Sequence, residues 1–165
     1  MTKDAGGLLL SAEPPWVVRA DLESTAVAAS LAEAGHVGIV VELDGSATTT
    51  SKTLFAAFAR ILNFPDYFGA NWPALKDCLT DLDWLPADSY VVVVRNSDQL
   101  LAEEPIERSS LLKTMVSTGE EWAAPVELGE WWDRPPRPFH LVLDQGVVVW
   151  PTGLLDQIDE LGPHE

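Results

Sequence analysis

Asp77 and Asp81 stand four residues apart in a segment, Pro73 to Leu82, whose apolar positions Leu75, Cys78, Leu79 and Leu82 recur at spacings of three, four and seven. On a helix that pattern buries one stripe and turns Pro73, Lys76, Asp77, Thr80 and Asp81 toward water, with the two carboxylates one turn apart. Such a pair can work as acid and base, hold a metal ion, or receive cationic side chains of another molecule. The first two chemistries need companions that the chain does not supply. His36, His140 and His164 have no cysteine, serine or carboxylate partner at a motif spacing. No companion histidine or glutamate motif completes a metal site, and no glycine-rich loop is placed to cradle phosphate. Cys78 falls on the apolar stripe and reads as a small buried residue, not a nucleophile. Neither catalysis nor a cofactor is implied, and contact with a partner is the chemistry left.

The flanks of the segment fit contact as well. Tyr67-Phe68-Gly69-Ala70-Asn71-Trp72 precedes it, combining aromatic area with a glycine able to take positive φ, and Asp83 and Trp84 follow it. Ten basic residues against 26 acidic ones give a formal net charge of −16. That charge repels nucleic acid and anionic membranes at long range and favours a cationic partner. A single cysteine excludes an internal disulfide and fits a reducing compartment, so the expected location is cytoplasmic. The three consecutive leucines near the N-terminus fall short of a secretory signal, and no apolar run reaches the length of a membrane span.

These residues are positioned by an alternation of strands and helices. With 165 residues, 47% of them hydrophobic, the chain suits one domain with a real core. Residues Met1 to Pro15 read as a loosely ordered lead-in. Trp16 to Ala20 reads as a strand, and Leu22 to Ala34 as a helix capped by Asp21 and stopped by Gly35. His36 to Leu43 is a buried strand, and a helix capped by Ser51 buries Leu54, Phe55, Phe58, Ile61 and Leu62. Ser89 to Arg95, with four consecutive valines, is a central strand. Pro105 to Ala123 follows as a helix weakened at Gly119, and Pro125 to Pro138, which holds Trp131 and Trp132, as a long loop. Phe139 to Leu143 is a third core strand. Asp144-Gln145-Gly146 is expected to turn the chain into a hairpin with Val147 to Trp150, and Leu154 to Leu161 to close it as a short acidic helix. The fold class is α/β, with a small, mostly parallel sheet flanked by helices.

Pro65, Tyr67, Gly69, Asn71, Ala74, Leu75, Asp77, Cys78, Leu79 and Thr80 reproduce, in order and without gaps, the pattern of the barstar family. The sequence therefore resembles the intracellular protein inhibitors of microbial ribonucleases such as barnase. The resemblance covers about 37–144 and implies a three-stranded parallel core, with an N-terminal extension over 1–36 and a tail over 145–165. It further implies that the aromatic loop and the acidic helix plug a nuclease active site in a 1:1 complex with a basic, extracellular-type ribonuclease. Asp77 takes the place of the aspartate that enters the nuclease's cluster of basic residues, and Tyr67, Gly69, Asn71 and Thr80 lie at or beside the contact. Trp72, Lys76, Asp81 and Trp84 share that surface. Two positions depart from the family pattern: Pro73 stands where a second acidic residue is expected and Lys76 where a tryptophan is. The resemblance sets the family's distal glutamates at Glu120 or Glu121, with the alignment between them open. The other reading keeps the fold and changes the partner, making the chain a regulatory module for a different basic protein.

Overall fold

A computed structural model describes residues 5–160. At its centre lies strand β3 (Ser89–Arg95), in which Val91, Val92, Val93 and Val94 are all 2% exposed or less. Successive side chains on a strand point to opposite faces, so a run of buried valines needs a layer of structure on each side. The sheet has five strands in the order β2-β3-β4-β1-β5, every pair parallel. Here β1 is Val17–Arg19, β2 Gly38–Asp44, β4 Phe139–Leu143 and β5 Asp159–Glu160. The three core strands thus fall where the sequence places them, but β2 is an edge strand in which only Leu43 is buried, not the buried strand expected, because nothing pairs beyond it. Two more extend the sheet beyond the expected three, because the N-terminal strand pairs directly with β4 and then carries β5 on its outer edge.

One face of the sheet presents Tyr90, Val92, Val94, Phe139, Leu141 and Leu143 to helices α3 (Ser51–Ile61), α4 (Trp72–Asp81) and α5 (Arg108–Ala123). The other presents Val18, Val91, Val93 and Val142 to Val27 and Leu31 of α2 (Ser24–Glu33) and to Leu9 of α1 (Ala5–Leu9). The N-terminal elements therefore close the second face, and α3 and α4 lie within the crossover that joins the neighbouring parallel strands β2 and β3.

Several expectations at element ends are corrected. Part of the lead-in forms α1, although Gly6 and Gly7 lower its helix propensity, because Leu9 is buried against α2. Asp21 does not cap α2; its carboxylate accepts from the Gln145 backbone N–H at 2.9 Å. Thr50, not Ser51, caps α3, in a reciprocal box with Thr53, and the Ser51 N–H is taken by Glu104. The expected hairpin after Asp144 is a 3-10 helix, Gln145–Val149, with Val147 and Trp150 buried and Val148 and Val149 exposed. Burial at a spacing of three, not two, marks the 3-10 turn. The expected closing helix is shorter and earlier, α6 (Thr152–Leu155), and Asp159–Glu160 pairs with β1 instead, aided by an Arg19–Glu160 ion pair at 2.5 Å. Residues 161–165 lie outside the described part.

Gly119 is not a break in α5 but a notch: a Cβ there would lie 2.2 Å from Cγ of Trp16, which packs across the helix. Gly119→Ala is therefore expected to destabilise the fold by about 1–3 kcal/mol through overpacking, although alanine is the better helix former. Urea unfolding checks the sign, and a stabilised variant would contradict the close approach.

His140, on β4, is fully buried, and neither ring nitrogen has a hydrogen-bond partner among the described residues. Burial lowers its pKa from 6.5 to about 4, with the nearby Pro15 backbone offsetting part of that effect. The unfolded chain then binds a proton that the native state refuses, so stability is full above 6.5 and falls as the pH drops toward 4. The loss amounts to about 3 kcal/mol. His140→Leu should flatten that part of the stability profile, measured by denaturant unfolding across the same pH range.

Candidate functional site

The site is built on α4 and the loop before it. Asn71 caps the helix, its side-chain oxygen accepting from the Ala74 N–H at 2.8 Å, and Pro73 sits in the first turn where a missing N–H does no harm. Leu75, Cys78, Leu79 and Leu82 are buried, as the spacing predicts. Leu82 takes a left-handed conformation (φ 50°) and ends the helix.

Three indole N–H groups fix this helix in the fold. Trp72, at its start, donates to Glu107 at 2.6 Å, and Trp122 of α5 donates to the carbonyl of Leu79 at 2.7 Å. Trp84, just past its end, donates to the carbonyl of Leu62 at 2.8 Å. Trp72 also packs edge-on against Phe55, and Phe64 against Phe68 and Trp84, so the loop is an aromatic cluster joined to the core. The structure thus gives Trp72 and Trp84 a positioning job, with both rings half-buried. Glu107 and Trp122 were not singled out by sequence. The signal available was the indole itself, since a buried indole N–H must find an acceptor.

The residues singled out are brought together on one exposed side. Tyr67 is exposed, and its hydroxyl donates to Asp81 at 3.4 Å. Asp77 is exposed on the middle of the helix, and its carboxylate makes no hydrogen bond or ion pair among the described residues. Thr80 turns its hydroxyl back to the Lys76 carbonyl at 2.8 Å, and Lys76 is half-buried. Gly69 does not carry the loop's positive φ; that falls to Ala70 (φ 52°). A Cβ at Gly69 would meet only ordinary contacts at 3.5 Å, so the fold itself does not require glycine there. Burial and the nearby Asp81 and Asp77 carboxylates push the Cys78 thiol up, which suits a structural residue and not a nucleophile.

Because the chain reverses at Leu82, Asp83 comes back beside Asp81. The two carboxyl groups hydrogen-bond and repel, and this, with partial burial, raises the pKa of Asp81. No group of three or more His, Cys, Asp or Glu among the described residues could hold a metal ion. No described helix is long and apolar enough to cross a membrane.

Compared with known families, the chain matches the model for Barstar (barnase inhibitor) over residues 39–144. It belongs to the barstar family. The matched part runs from β2 to the end of β4 and contains the whole of α3, α4 and α5. The elements that close the second face and the outer sheet edge lie outside it. Comparison with curated proteins gives no match. In this barstar-family chain the family pattern from Pro65 to Thr80 is the loop and helix just described. Glu120 and Glu121 are exposed near the end of α5, close to the last turn of α4 through the Trp122 bond.

Asp83→Asn should relieve the crowding at Asp81. A raised carboxyl pKa means that the native state holds a proton the unfolded state has lost, so the native fold is penalised as pH rises above the ordinary aspartate value of 3.8. The variant is expected to melt at a higher temperature than the parent at neutral pH, with the gain vanishing below 3.8. An equal gain at both pH values would point to another cause.

Proposed function

We propose that this chain inhibits a basic, barnase-type ribonuclease in a 1:1 complex, seating α4 and the loop 67–72 over the nuclease active site within the cytoplasm of the producing cell. The observation that carries the reading is Asp77: an exposed, unpaired carboxylate on a helix held rigid by three indole bonds, in a chain whose family is described as barnase inhibitors. A carboxylate offers two acceptor oxygens in the plane that a guanidinium fits, and its pairing strengthens as water is excluded. Tyr67 and Asp81 flank it as a linked pair, while Thr80 and Asn71 present polar edges beside it. Space at Gly69 lets a partner backbone approach the loop closely. Trp72 and Trp84 contribute the exposed parts of their rings.

Rigid presentation matters to affinity because little conformational freedom remains to be lost on binding. The excess of negative charge speeds encounter with a basic partner. Barnase with barstar is the standard example of that steering.

Pro73 and Lys76 favour a second reading. A proline in the first turn removes a carboxylate from the contact face, and a half-buried lysine beside Asp77 opposes a cationic partner. A regulatory module for a different basic protein would keep the same face with that altered chemistry.

Asp77→Ala is expected to weaken nuclease binding by at least about 2 kcal/mol while leaving the unfolding transition unchanged. Titration calorimetry against barnase, with nuclease activity followed in parallel, measures it. Stoichiometric inhibition that is insensitive to Asp77 would sink the role given to the helix, and Asp77-dependent binding of a non-nuclease would favour the second reading.

A further inference from the structure

Residues 124–138 form a loop with its own frame. Val126 and Arg134 exchange backbone hydrogen bonds at 2.9 and 3.0 Å, and the Asp133 carboxylate accepts from the N–H groups of Leu128 and Gly129. Arg134 lays its guanidinium 4.3 Å over the Trp122 ring and donates to the carbonyls of Glu121, Trp122 and Ala124. This frame does not serve to bury the tip. Trp131 is 89% exposed and Trp132 50%, their rings meeting nearly at right angles with centroids 5.5 Å apart. Neither covers the sheet edge, which β2 and β5 form.

Large aromatic surface held out by a stiffened loop is poorly explained by folding, since it gains nothing from burial. The chemistry around it selects an occupant. Glu127, Glu130 and Asp133 are exposed on the same loop, and of its two cations Arg134 is spent on carbonyls at its base while half-buried Arg137 lies against Tyr90. Backbone N–H donors hold Asp133 below its ordinary pKa, keeping it ionised. An anionic membrane would be repelled, and a second copy would bring a further charge of −16 against the first. Tryptophan faces rimmed by carboxylates suit arginine and lysine side chains, which gain cation–π attraction and ion pairing together.

We infer that the Trp131–Trp132 loop is a second contact surface, taking arginine and lysine side chains of the same cationic protein that α4 engages. Continuity supports the shared partner. Trp122, which carries Arg134 on its face, donates to Leu79 in the last turn of α4, one residue before Thr80 and two before Asp81. The inference rests on the reading of α4 as a contact helix.

The full chain and a Trp131→Ala/Trp132→Ala variant would be titrated with a deca-arginine peptide near physiological ionic strength, and then with barnase. Both side chains are exposed, so the variant should keep the parent's circular dichroism and melting temperature. Peptide binding is expected to weaken by about tenfold in the alanine variant and to return in Trp131→Phe/Trp132→Phe. Equal binding by parent and alanine variant, or none by either, overturns the inference. With barnase, weakening by both the loop variant and Asp77→Ala supports one partner spanning two surfaces. Weakening by Asp77→Ala alone overturns the loop and leaves the helix; weakening by the loop variant alone overturns the helix and leaves the loop.

Discussion

A strand of four consecutive valines can be buried only where both of its faces are covered, and much of this architecture follows from that demand. Val92 and Val94 are met by α3, α4 and α5; Val91 and Val93 are met by α2 and α1. Neither layer is optional, because leaving either valine pair in water would forfeit about 3–6 kcal/mol of burial. The N-terminal segment, which falls outside the family match, is therefore integral to the core of this chain. It also adds a strand to the sheet.

The same demand fixes the candidate site. Covering Val92 and Val94 requires that α4 turn Leu75, Cys78 and Leu79 inward, which leaves Asp77 outward by helical geometry alone. Packing sets the face; the indole bonds of Trp72, Trp84 and Trp122 set the axis. Each bond ties one part of α4 or its exit to a different neighbour, so the helix is held at its start, in its last turn and beyond its end. A helix face mounted in this way is preorganised, and its composition can change without moving the backbone. Pro73 and Lys76 are changes of that kind: both lie on the outer side, and Pro73 fits the first turn it occupies.

The residues that were legible in the sequence are those whose local pattern and tertiary fate agree. The valine run of β3 and the apolar run of β4 are strong enough to place each strand, and the stripe of α4 places both the helix and its buried side. What was not legible depended on distant partners. Asp159–Glu160 has no strand propensity and pairs only because Arg19 and the β1 edge await it. Val147 to Trp150 has strand composition but packs every third residue. Asp21 and Ser51 resemble caps, yet their bonds go to Gln145 and Glu104, far along the chain. On α4, the exposed face was visible from spacing, whereas Glu107 and Trp122 became its neighbours only through packing.

The left-handed turn at Leu82 has a further consequence. By folding Asp83 back beside Asp81 it builds a pair of like charges that resists losing its last proton. A cation arriving at this end of α4 performs the same service as that proton and competes with it for the two carboxylates. Under the function proposed above, binding of a cationic partner there would weaken as the pair takes up its proton.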